Sequence, residues 1–86
     1  MNVLDPAFRQ QLEHVKDHPV NVIVIVTLPL ERARSALEAR GVHVQRTLRL
    51  IHGVAVSAPA HVILALTQEP WVQRIEPDRP VHTQRS

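Results

Sequence analysis

Leu50-Ile51-His52-Gly53-Val54-Ala55-Val56 is the stretch on which the reading of this chain turns. Val54, Ala55 and Val56 run into Ser57 as a short apolar strand, and His52-Gly53 in front of them reads as a tight connection. Upstream, residues 42–51 alternate. Val42, Val44, Leu48 and Leu50 fall on one face and His43, Gln45, Thr47 and Arg49 on the other, with Arg46 interrupting the apolar set. Such alternation predicts a half-buried strand at a sheet edge. A link as short as His52-Gly53 forces the two strands into a hairpin.

Working outward, residues 20–26 (Val-Asn-Val-Ile-Val-Ile-Val) form the strongest strand signal in the chain. They are β-branched and apolar at almost every position, as expected of a central strand covered on both faces. Pro29 and Leu30 open a helix running to Arg40, with Leu30, Ala33, Ala36 and Leu37 inward, and Gly41 ends it. Pro59 precedes a third helix over residues 60–68, packed through Val62, Ile63, Ala65 and Leu66, and Glu69-Pro70 stops it. Residues 71–76 read as the last strand. Pro77 and Pro80 then rule out a regular ladder or helix. At the N-terminus, Asp5-Pro6 is a helix start and Phe8, Leu12 and Val15 share one stripe. Residues 6–16 are therefore an amphipathic helix that either packs on the domain or serves as an adaptor.

The predicted order after this first helix is strand–helix–strand–strand–helix–strand. It is the α+β, ferredoxin-like split βαβ pattern, βαββαβ. Right-handed crossovers place the first and third strands in the middle of a four-stranded antiparallel sheet, with two helices on one face and the other face open. The expected organisation is a helical leader over 1–18, the βαββαβ domain over 19–78 and an extended tail over 79–86.

Composition narrows the function. The chain has 86 residues, one domain by default. Phe8 and Trp71 are its only aromatic residues, so the core is aliphatic. Cysteine is absent, which excludes disulfides and thiolate metal sites. No stretch approaches the roughly 18 apolar residues of a membrane helix. Nine Arg and one Lys are interleaved with eight acids, giving a net charge of +2. That is a solvated mixed surface rather than a nucleic-acid patch. Six histidines form no local ligand set. Ser35, Ser57 and Ser86 have no nucleophile setting, and no glycine-rich phosphate loop exists. The expectation is a protein that is not an enzyme, without catalytic residues, metal or other cofactor, and binding neither nucleic acid nor membrane. The N-terminus lacks the features of a secretory signal. As written, a cytoplasmic location is expected, or an extracellular one if the chain is excised from a secreted precursor.

Three pieces of the sequence together resemble the subtilisin propeptide-like family, which includes stand-alone proteinase inhibitors. The first is Val22-Ile23-Val24-Ile25-Val26. The second is the central segment from Leu50 to Val56. The third is the closing segment Glu69-Pro70-Trp71-Val72-Gln73-Arg74-Ile75-Glu76-Pro77-Asp78-Arg79-Pro80-Val81, a proline, a Val-x-x-Ile, an acid–x–acid and then a tail. The resemblance spans roughly residues 20–84. It implies a partner, a subtilisin-like serine protease, and a role as its inhibitor or as a chaperone-type prodomain. The open sheet face would dock on two helices of the enzyme, and Glu76 and Asp78 would cap their N-termini. Val81, His82, Thr83 and Gln84 would occupy the substrate cleft, with Gln84 at the primary specificity pocket. The alternative is a non-enzymatic ferredoxin-like interaction or regulatory module that forms a homodimer or binds a ligand through the same face.

Overall fold

A computed structural model describes residues 3–78. Its elements are α1 (Pro6–His14), β1 (Pro19–Val26), α2 (Leu30–Ala39), β2 (His43–Leu48), β3 (Gly53–Pro59), α3 (Ala60–Leu66) and β4 (Val72–Pro77). The sheet is antiparallel, in the order β2-β3-β1-β4. The first and third strands are central, as the right-handed crossovers require. The fold is the α+β, ferredoxin-like arrangement with an added N-terminal helix.

The core is built from alternate residues. Val22, Val24 and Val26 of β1, Val54, Val56 and Ala58 of β3, and Val72 and Ile75 of β4 meet Ala33, Leu37, Ala60, Ile63 and Leu66 of the helices. Ala65, expected among the packing residues of α3, is exposed, and Leu64 packs in its place. The helix is shorter than its apolar pattern suggested and ends at Leu66. The Thr67 hydroxyl donates to the Leu64 carbonyl at 2.6 Å, satisfying one of the open carbonyls of that last turn.

Gly53 explains how β1 and β3 come so close. A Cβ at this position would lie 3.0 Å from Ile25 Cδ1, 3.2 Å from the Val24 carbonyl oxygen and 3.3 Å from Ile23 Cγ2. A side chain here would make the Ile25 and Ile23 side chains and the Val24 carbonyl give by a few tenths of an ångström, so glycine suits the position. The preceding turn, residues 49–52, holds His52 at φ 52°, a left-handed conformation costing a residue with a Cβ about 1 kcal/mol. Three bonds hold it there. The His52 amide donates to the Arg49 carbonyl at 3.3 Å, the His52 carbonyl accepts from the Val26 amide at 3.1 Å, and His52 Nε2 lies 2.7 Å from the Leu28 carbonyl.

Three expectations change here. The strand expected over 42–51 is confined to His43–Leu48, and its alternation is broken by a register shift between Val44 and Arg46. The extra residue of a bulge puts Val44 opposite Val56 on the core face and Leu48 opposite Gly53 on the other. Leu50, expected on the apolar face of a strand, sits in the turn and is 103% exposed. Finally, β4 includes Pro77. The Ile75 amide donates away from β1, to the Val3 carbonyl, at 2.8 Å. Two residues later the proline nitrogen faces the same outer side, so its missing N–H breaks no bond to β1.

The leader belongs to the domain. Asp5 caps α1, accepting from the amides of Ala7 (3.1 Å) and Phe8 (3.2 Å). The helix ends at His14 rather than at residue 16, because Val15 leaves helical geometry at φ −122°. Leu4 and Leu12 are buried in the main core, α1 packs on α3, and Leu4 bridges in parallel to Ile75 on the outer edge of β4. The helix therefore lies on the helical side of the sheet and leaves the opposite face uncovered.

Gly53→Val should lower stability by about 1–3 kcal/mol, because the added carbons meet backbone as well as side chain. Leu12→Ala should cost about 2–5 kcal/mol if the leader is part of the core as described. Both are read as shifts in the midpoint of a circular-dichroism melt, about 4–8 °C per kcal/mol for a domain of this size.

Candidate functional site on the open sheet face

The face away from the helices is set by period-two alternation. Where Val22, Val24, Val54 and Val56 point into the core, their neighbours Ile23, Ile25, Gly53, Ala55 and Ser57 point out. Ile25 and Ala55 are buried yet stand apart from the main core cluster. Register lines up Ile23 with Ala55, Ile25 with Gly53, and Leu48 with Gly53. One half of the face is therefore an aliphatic strip made by Ile23, Ile25, Ala55 and Leu48.

The other half is polar. Gln45 Nε2 donates to Asn21 Oδ1 at 3.2 Å, spanning from β2 over β3 to β1. The guanidinium of Arg46 reaches Asp78 Oδ2 at 3.8 Å, from one edge of the sheet to the other. The bulge makes this layout by letting neighbouring residues, Gln45 and Arg46, both lean over the sheet. On β4, Arg74 Nε and Glu76 Oε2 form a 2.7 Å ion pair two residues apart, on the side that faces Ile25 and Ile23 across the strands.

Glu76 and Asp78, the two acids singled out from the sequence, are thus brought to one end of the open face. Asp78 is the more enclosed, its side chain 17% exposed against 42% for Glu76. Its amide donates to the Asn21 carbonyl at 3.0 Å, so the chain is still paired with β1 where the tail begins. Val81, His82, Thr83 and Gln84 lie outside the described residues. Sequence reading placed Gln45 on the polar face of its strand but missed Asn21 and Arg46 as its companions there. Strict alternation separates Gln45 from Arg46, and only the bulge unites them.

Among the described residues no three His, Asp or Glu side chains gather as metal ligands. No helix among them is long and apolar enough to cross a membrane. The open groove between α1 and α3, lined by Val3, Leu4, Arg9, Gln10 and Thr67, contains no convergent set of titratable groups.

No protein-family model matches the chain. It is similar to the uncharacterized protein C338.12 of Schizosaccharomyces pombe, 33% identical over 57 residues that cover 65% of this chain and 74% of that protein. The chain belongs to the family of that Schizosaccharomyces pombe protein. The relationship carries no activity with it, and the function has to be argued from the face itself.

Each ion pair on this face has an exposed arginine, and pairs open to solvent in this way contribute roughly 0–1 kcal/mol. Arg46→Ala should therefore leave the melting midpoint within about 4–8 °C of the parent. It should also free Asp78, seen as an altered carboxyl chemical shift in NMR.

Proposed function

We propose that this chain is an inhibitor, or a chaperone-type prodomain, of a subtilisin-like serine protease. The open sheet face docks on the enzyme and the C-terminal tail enters the substrate cleft. The observation that carries the reading is the placement of Glu76 and Asp78. Both acids stand at the end of the uncovered face where the tail departs, and the Asp78 backbone is held extended against β1.

Each part of that arrangement has a chemical use. A carboxylate next to the unpaired amides at a helix N-terminus contributes about 0.3–1 kcal/mol, and more when partly buried. Half-buried Ile23 and Leu48, over the buried Ile25 and Ala55, offer aliphatic surface to a docked helix pair. A tail that starts extended loses less conformational freedom on joining a cleft as an added strand. There, backbone bonds supply affinity and the alternate side chains of Val81, His82, Thr83 and Gln84 supply specificity. In this role the protein has no catalytic residue or cofactor of its own.

The competing reading, a module that self-associates through the same face, gives the tail no work. The two separate on one experiment: inhibition of a broad-specificity subtilisin by the full chain and by a version ending at Arg79. The full chain should inhibit, and truncation should raise the inhibition constant at least tenfold, about 1.4 kcal/mol. Glu76→Gln with Asp78→Asn should raise it about three- to thirtyfold while the tail remains, the sum of two helix-end interactions. Equal inhibition with and without the tail would remove the cleft from the mechanism. A dimer indifferent to residues 79–86, with no inhibition, would favour the module.

A further inference from the structure

We infer that the β2–β3 turn is a second anchor for the same partner, with Leu50 as its contact residue and Ile51 supporting it; this rests on the proposed function. Leu50 and Ile51 are the exposed large hydrophobics among the described residues, at 103% and 47%. Neither contributes to the main core. Two exposed aliphatic side chains side by side at a turn take no part in the core and leave an apolar spot open to contact.

The turn is also braced at His52. His52 is held in a left-handed conformation by the bonds to Arg49, Val26 and Leu28, so Leu50 and Ile51 are presented on a fixed frame. Strained backbone that the surrounding structure over-determines is a mark of a site under functional constraint. A preorganised apolar knob loses little freedom on binding.

Position identifies the occupant. The turn joins Leu48 to Gly53, which face each other at the end of the aliphatic strip. That end adjoins Ile25, whereas Asp78 bonds Asn21 at the other end of β1. The turn therefore stands at the Ile25 end of the open face, and Glu76 and Asp78 stand toward the other end. Two aliphatic side chains fall far short of the roughly 800 Å² per partner of a stable interface. They hold a partner only as part of a larger footprint, and the sheet face is the surface whose end this turn closes. The same shortfall argues against a membrane anchor, which needs a longer apolar face. The partner is then a folded protein that covers the sheet face and offers an apolar pocket beyond its end, remote from the cleft that takes the tail.

The test compares the full chain with Leu50→Asp and Leu50→Ala. Each is measured for thermal melting, sedimentation and inhibition of a broad-specificity subtilisin. Because Leu50 is fully exposed, both variants should melt within about 2–4 °C of the parent. Leu50→Asp should weaken inhibition at least tenfold and Leu50→Ala by a smaller factor in the same direction, in the full chain and in the version ending at Arg79 alike. Parent inhibition with no change in either variant would overturn the anchor and leave the proposed function standing. A parent that neither inhibits nor binds the protease would overturn the proposed function, and the anchor with it. A parent dimer that Leu50→Asp converts to monomers would assign the turn to a second copy. Sedimentation of the parent, but not of Leu50→Asp, with phosphatidylcholine–phosphatidylserine vesicles would assign it to lipid. Either result overturns the inference.

Discussion

The close approach of β1 and β3 at Gly53 is the constraint on which the other features depend. Ile25 and Ile23 lie where a side chain at 53 would be, within 3.0 and 3.3 Å of its Cβ. That contact sets the register of the central pair, and register sets the faces. A slip of β1 by one residue would turn Val22 and Val24 outward and bring Asn21 into the core. The bonds of His52 to Val26 and Leu28 brace the same corner from the turn side, tying the hairpin to β1 and to the start of the first crossover.

With the centre held, the sheet has two edges and one uncovered face to manage. The outer edge of β4 is partly closed by the leader, through the Leu4 bridge and the Val3 carbonyl, and is further blunted by Pro77. The edge formed by β2 carries a bulge and the charged Arg46, features that discourage another strand from adding there. Edge-to-edge association is thus opposed at both sides. The uncovered face, half aliphatic and half polar, is left as the broad surface on which a partner would rest. Its two ion pairs each keep an exposed arginine, Arg46 and Arg74.

The leader shows how short amphipathic helices acquire a role. Leu12 and Phe8 alone do not make a stable nine-residue helix in water. Docking against α3 and the strand-like pairing of residues 3 and 4 supply what local propensity lacks. A helix with the same stripe and no strand edge to grip would remain an adaptor.

Much of the fold is legible in the residues, because its signals are local. Seven nearly uninterrupted apolar positions over 20–26 require a central strand, and prolines 29 and 59 and Gly41 place the helix limits to within a residue or two. Glu76 and Asp78 are two apart, so strand periodicity alone puts both on one face. The bulge at Val44–Arg46 is different. It has no composition of its own, and it alone sends Leu48 to the open face and brings Gln45 and Arg46 together over the sheet. Pro77 looked like a stop because its missing N–H is a local fact, whereas the direction its nitrogen faces depends on pairing with β1 and the leader. Leu50 looked like a buried strand residue for the same reason. Periodicity in the sequence determined which side chains seek a core, while the pairing of distant strands decided where that periodicity is interrupted, and with it which groups stand on the open face.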